Sequence, residues 1–177
     1  MRSTRYAKGA FVAATCALVL APAGAAYAGS GPATGPSNKT LTRTTAPSPE
    51  GNPASKLAQA AGVCDDAVAI GTTGLIKKNG ATIASVKQFY SKKCNTNYGY
   101  VWVWESFRKT AAPYDVTAGV YNYDDDATYG KKEWKATKQQ EFWSDQANTV
   151  DHCTSGVGTL RPAGTPQPLQ AFSQKRC

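Results

Sequence analysis

Between Tyr98 and Phe107 the chain reads Tyr-Gly-Tyr-Val-Trp-Val-Trp-Glu-Ser-Phe, and no other stretch restricts the fold as much. At the two-residue period of a β-strand, Tyr98, Tyr100, Trp102 and Trp104 share one face, and Val101, Val103, Glu105 and Phe107 the other. Large apolar groups on both faces place such a strand in the middle of a closed or double-layered sheet. The alternative is that one face is core and the other is an aromatic surface offered to a ligand. Glu105 indicates that the end of its face reaches solvent.

How such a strand is stabilised depends on compartment. Residues 1–28 have a basic start (Arg2, Arg5, Lys8), an apolar run from Ala10 to Ala21 and a closing Ala26-Tyr-Ala28, the pattern of a secretory signal peptide. The run is too short to span a membrane and is followed at once by Pro22 and Gly24, so no membrane span is expected. Of five cysteines, Cys16 falls in the leader, leaving Cys64, Cys94, Cys153 and Cys177. An even number in an exported chain points to disulfides. Three pairings are possible; Cys64 with Cys94 and Cys153 with Cys177 is preferred because each pair brackets one block of predicted strands. Each loop so closed contributes about 3–4 kcal/mol in the chain-entropy account. A zinc site is disfavoured, since there is no C-x-x-C and His152 is the single histidine.

Residues 29–56 are rich in Pro, Ser, Thr and Gly, with almost nothing to bury beyond Leu41, and read as a disordered arm. It serves as a spacer left by export or becomes ordered on a partner, which the extended habit of its prolines favours. Asn38-Lys-Thr40 fits a glycosylation acceptor. Residues 57–177 then form one β domain. Strands are expected at Ala67–Ile76 and Ala81–Tyr90 around an Asn79-Gly80 hairpin turn, then at 98–107 and Tyr114–Tyr123. Tyr129–Trp143 reads as strands in preference to a short helix, and further strands follow at Thr149–Leu160 and Leu169–Cys177. The fold class is therefore all-β: a small disulfide-stapled sandwich or barrel preceded by a disordered arm.

No catalytic constellation emerges. His152 lies beside Asp151, but no G-x-S-x-G elbow accompanies them, and a sequence-adjacent Asp usually points away from its His. Glu105 and Glu141 offer carboxylates for a glycosidase pair with no distinguishing spacing. Asp124-Asp-Asp126 reads as a solvated turn in preference to a calcium loop. No G-K-S/T phosphate loop occurs, and no cofactor or metal is implied. The full chain has a net charge of +8, and losing Arg2, Arg5 and Lys8 with the leader leaves +5. No Lys/Arg block exceeds a pair, so nucleic acid is not an expected partner.

Cys64, followed by Ala84-Ser-Val-Lys-Gln-Phe-Tyr-Ser-Lys-Lys-Cys94 and Val101-Trp-Val-Trp104, resembles the YjfA-like secreted domains of Gram-positive bacteria. That resemblance spans residues 64–107 and implies a small disulfide-bonded β protein without assigned activity. The layout of leader, extended arm and small β domain is similar to that of adaptor subunits of secreted umbrella-type toxin particles. The expected function is a secreted, non-enzymatic interaction domain that acts as a protein-binding adaptor or as a structural component of an extracellular complex. Its partner is an extracellular protein, engaged through the arm 29–56 or an aromatic surface. The alternative is a cell-wall or glycan-binding module using Tyr98, Tyr100, Trp102, Trp104, Trp134 and Trp143, because aromatic faces suit sugar rings.

Overall fold

The computed structural model describes residues 50–177; the expected leader, 1–28, and residues 29–49 of the expected arm lie outside them. The chain forms β1 (Val68–Lys78), β2 (Ala81–Ser91), β3 (Thr96–Val103), β4 (Tyr114–Asn122), β5 (Ala127–Thr137), β6 (Glu141–Trp143), β7 (Thr154–Arg161) and β8 (Leu169–Phe172). Two short helical turns join them, α1 (Lys56–Ala60) and α2 (Glu105–Arg108). The strands make two four-stranded antiparallel sheets, in the orders β1-β2-β3-β6 (sheet A) and β5-β4-β7-β8 (sheet B). Cys64 pairs with Cys94 and Cys153 with Cys177. The all-β, disulfide-stapled class expected from sequence is what the chain adopts.

Local chemistry accounts for the boundaries. Asn79 and Gly80 both have positive φ, 50° and 82°, as the tight turn between β1 and β2 requires. β3 starts at Thr96 and stops at Val103, so the strand expected over 98–107 is cut short. Apolar alternation ends at Glu105-Ser106. There the backbone winds into α2, where Arg108 Nε donates to Glu105 Oε2 at 2.9 Å. The stretch 129–143 is strand, as expected, but its two strands belong to opposite sheets. Trp134 of β5 meets Phe142 of β6 edge-on at 5.0 Å.

β3 is buried along its whole length because each of its faces has its own core. Val86, Val101, Val103, Val116, Ala118 and Leu160 fill the space between the sheets. On the other side of sheet A, Phe89, Tyr98, Tyr100, Trp102 and Trp143 form an aromatic layer closed over by Ala58, Val63 and Ala67. The sheets approach to backbone contact at three glycines: a Cβ on Gly99 would lie 1.9 Å from the Gly119 carbonyl oxygen, one on Gly74 2.1 Å from that of Phe172, and one on Gly156 2.3 Å from that of Lys87.

The lid on the aromatic layer is the segment from Glu50 to Cys64, held at both ends by tyrosine hydroxyls. Gly51 N donates to Tyr100 Oη at 2.8 Å and Cys64 N to Tyr98 Oη at 3.2 Å. Lys87 Nζ meets a Glu50 carboxylate oxygen at 3.0 Å, and Ser55 Oγ caps α1 by accepting from Ala58 N at 3.0 Å. Residues 50–56, assigned by composition to the arm, are therefore ordered on the domain. They hold by polar contacts and a helix cap, which a count of apolar residues does not register.

Glu141 sits in this layer, accepting from Trp143 Nε1 at 2.9 Å. Burial raises its pKa above 4.5, with the Trp143 and Ser55 hydrogen bonds opposing. A carboxyl whose folded pKa is raised costs stability at neutral pH, and the cost fades as pH falls through the folded value toward the unfolded one. Glu141→Gln keeps an acceptor for Trp143 and should raise the urea midpoint at pH 7, the gain shrinking toward pH 4.5. A gain that is flat with pH would show that the carboxylate is not the cause. Asp66 acts in the opposite sense. Its pKa is lowered, first by the Ser91 hydroxyl and then by the Lys93 amide, so its contribution is present at neutral pH and lost as pH falls through the depressed value.

Candidate functional site

None of the six aromatics singled out from sequence stands as a free ring. Tyr98, Tyr100 and Trp143 are at most 1% exposed and Trp102 is 8% exposed, all within the covered layer. Burial pushes the Tyr100 hydroxyl well above its usual pKa, with the nearby Glu141 carboxylate adding to the shift. Trp104 is half-buried and donates through Nε1 to Ser85 Oγ at 2.8 Å. Trp134 is half-buried against the core between the sheets. The surface expected of this strand is thus occupied by the protein's own lid.

The opposite face of the molecule differs. Along β4, Val116, Ala118 and Val120 point inward while Thr117, Gly119 and Tyr121 point outward. Among the described residues no helix or loop covers the outer face of sheet B as the lid covers sheet A. Here Tyr121 packs edge-on to Tyr123 (4.9 Å, 89°) and to Phe172 of β8 (5.4 Å, 75°). Lys175 Nζ stands 4.5 Å over the Tyr123 ring, and the Tyr123 and Ser155 hydroxyls are 3.0 Å apart. Tyr123 and Phe172 are each 39% exposed, so this cluster presents ring surface to solvent.

Farther along β4 a groove of about 320 Å³ crosses the same face. Its middle is polar and uncharged, with Thr117 and Thr159 hydroxyls 2.7 Å apart. Gly119 keeps the floor low: a Cβ there would lie 2.6 Å from Thr128 Cγ2. The end away from the rings is charged. Arg161 is bonded to Asp115, whose pKa is lowered by the Ala136 amide and then by Arg161. Lys135 Nζ lies 2.5 Å from Glu133. The arrangement can hold an extended chain, apolar or ring-bearing at one end and with charges of both signs at the other.

Tyr121 and Tyr123 alternate with the inward valines, a signal legible from sequence. Phe172 joins them only through the β7–β8 pairing, which no local pattern announces.

Of the residues weighed for catalysis, His152 pairs through Nδ1 with Asp124 Oδ2 at 2.9 Å, not with the adjacent Asp151, and both partners are exposed. Asp125 and Asp126 accept from the hydroxyls of Tyr129 and Tyr121, raising the pKa of both phenols. The three adjacent carboxylates therefore diverge to separate partners. Among the described residues no three His, Cys, Asp or Glu side chains converge on a point that would hold a metal ion. No described helix is long and apolar enough to cross a membrane.

Comparison with family models, curated proteins and solved structures finds no match for this chain.

Proposed function

We propose that this chain is a secreted, non-enzymatic interaction domain that acts as a protein-binding adaptor or structural component of an extracellular complex. The observation that carries the reading is the asymmetry of the sandwich. One outer face is sealed by residues 50–64, and the other bears an exposed aromatic cluster beside a groove with charges of both signs. An aromatic anchor flanked by charged pairs is the composition of a protein-recognition patch. The signal-peptide pattern of residues 1–28 supports export, and the two disulfides are compatible with an extracellular compartment. The similarity in layout to toxin-particle adaptors suits an adaptor role without assigning a residue.

Pull-down from culture medium tests it with the full chain, a chain lacking residues 29–49, and the double variant Tyr121→Ala, Phe172→Ala. A partner retained by the full chain should be reduced at least tenfold by the double variant, the scale set by losing two aromatic anchors. A partner unaffected by the double variant but lost with residues 29–49 would move the site to the arm.

The exposed tyrosines favour a second reading as a glycan binder, now through Tyr121, Tyr123 and Phe172. Co-sedimentation with purified peptidoglycan that is abolished by the same double variant would select it.

A further inference from the structure

Cross-strand register lays the outer face of sheet B out in rows. Phe172 of β8 stands opposite Val157 of β7, and Val157 opposite Gly119 of β4. On the far side of Gly119, Ala118 pairs with Lys132 and Val120 with Tyr129, so the bulge of β5 sets Gly130 and Lys131 against the glycine. A Cβ built on Gly119 would lie 3.4 Å from Lys131 Cα, as that placement requires. The row from Phe172 through Val157 and Gly119 to Lys131 is therefore a trench with a ring at one end and a cation at the other. Its middle is low, because Gly119 has no side chain and Val157 is 6% exposed. Thr117 and Thr159 flank it on one side, Tyr121 and Thr128 on the other.

Both ends are accessible. Phe172 is 39% exposed, and Lys131 is exposed with no ion pair among the described residues. The other charges of the groove are already matched, Arg161 with Asp115 and Lys135 with Glu133. At the turn between β4 and β5, Asp124, Asp125 and Asp126 are engaged by His152, Tyr129 and Tyr121. Charge complementarity thus selects an anion at Lys131. Adjacent strands lie roughly 4.8 Å apart, so three steps put Phe172 about 14 Å from Lys131, the span of about four residues of an extended chain.

We propose that this trench takes an extended segment of another protein, which sets a large apolar or aromatic side chain against Phe172 and Tyr121 and, about four residues away, a carboxylate against Lys131. The chain's own arm is not that segment: residues 29–49 contain Lys39 and Arg43, no acid and no aromatic residue. A neutral glycan would leave Lys131 unmatched. The proposal rests on the protein-binding reading of the sheet B face and names the chemistry of its partner.

Random peptides displayed on phage and selected on the immobilised full chain test it. Enriched peptides should carry an aromatic or large aliphatic residue about four positions from an Asp or Glu, in either direction. For a synthesised winner, Lys131→Glu should weaken binding about tenfold at low salt, and the same peptide with its acid changed to Lys should recover affinity for that variant. Phe172→Ala should weaken both pairings about tenfold. An unchanged urea midpoint shows that each variant is folded. Winners that depend on Phe172 but not on Lys131, or that carry no acid preference, overturn the proposal and leave the protein-binding reading in place. No enrichment, or winners indifferent to both variants, overturns the two together. Tighter binding once residues 29–49 are deleted would make the arm the occupant and overturn the proposal as well.

Discussion

Gly99→Ala should remove much of the domain's stability. The added methyl would lie 1.9 Å from the Gly119 carbonyl oxygen and 2.7 Å from the Gly119 nitrogen, so the obstacle is the backbone of β4, not a side chain that can turn aside. β3 and β4 are both internal to their sheets, each paired on two sides, and neither can move alone. Overpacking typically costs about 1–3 kcal/mol where neighbours can relax. With backbone against backbone in the centre of a sandwich, the expected cost is at or above about 3 kcal/mol, a large share of the roughly 5–15 kcal/mol that holds a domain together. Gly119→Ala is the matched comparison. Its methyl meets Thr128 Cγ2 at 2.6 Å on the edge strand β5, a side chain that must turn aside, with the Tyr129 carbonyl oxygen at 3.3 Å, and should cost clearly less than Gly99→Ala. Urea unfolding of the two variants measures the difference. Equal midpoints would mean that the sheets separate freely at this point, and that the close approach is not what sets their spacing.

That contact also marks where sequence reasoning runs out. The alternation from Tyr98 to Val103 identifies a strand buried on both sides, and the structure has a separate core on each side. It does not say which face meets the second sheet, because valines and aromatic rings are both apolar. The residues at the closest approaches are glycines, Gly99 with Gly74 and Gly156, which have no side chain to register in a hydrophobic pattern yet lie where the sheets touch. The lid is hidden for a related reason. Its ties are a peptide N–H to each of two tyrosine hydroxyls and one ion pair, all between residues more than thirty positions apart. The disulfide pairing, by contrast, was inferable because each bridge closes a contiguous block of strands. The candidate face on sheet B lies between these cases: Tyr121 and Tyr123 show in the alternation of β4, whereas their neighbour Phe172 comes from the other side of the sheet.

Breaking Cys64–Cys94 should open the aromatic layer, and breaking Cys153–Cys177 should not. The two bridges span 30 and 24 residues, so loop entropy alone makes them nearly equivalent, at about 3–4 kcal/mol each. Their positions differ. Cys64 ends the lid, and its bond to Cys94 fixes that end to the turn between β2 and β3, beside the Tyr98 hydroxyl that accepts from Cys64 N. Without the bridge, that end is held by the Tyr98 hydroxyl and by Ser91 and Lys93 acting through Asp66, solvent-exposed hydrogen bonds that are weak beside a covalent link. Tyr98, Trp102 and Trp143 then lose their cover. Cys153–Cys177 instead ties the start of β7 to the last residue, and its neighbours are Tyr123, Thr154 and Arg176, with no tryptophan among them. Replacing each pair with serines should lower thermal stability by similar amounts. Below the transition, only the Cys64→Ser, Cys94→Ser protein should show red-shifted tryptophan emission and stronger acrylamide quenching. An equal red shift in both variants would mean that the aromatic layer responds to global loosening, and that residues 50–64 are not a separately anchored lid.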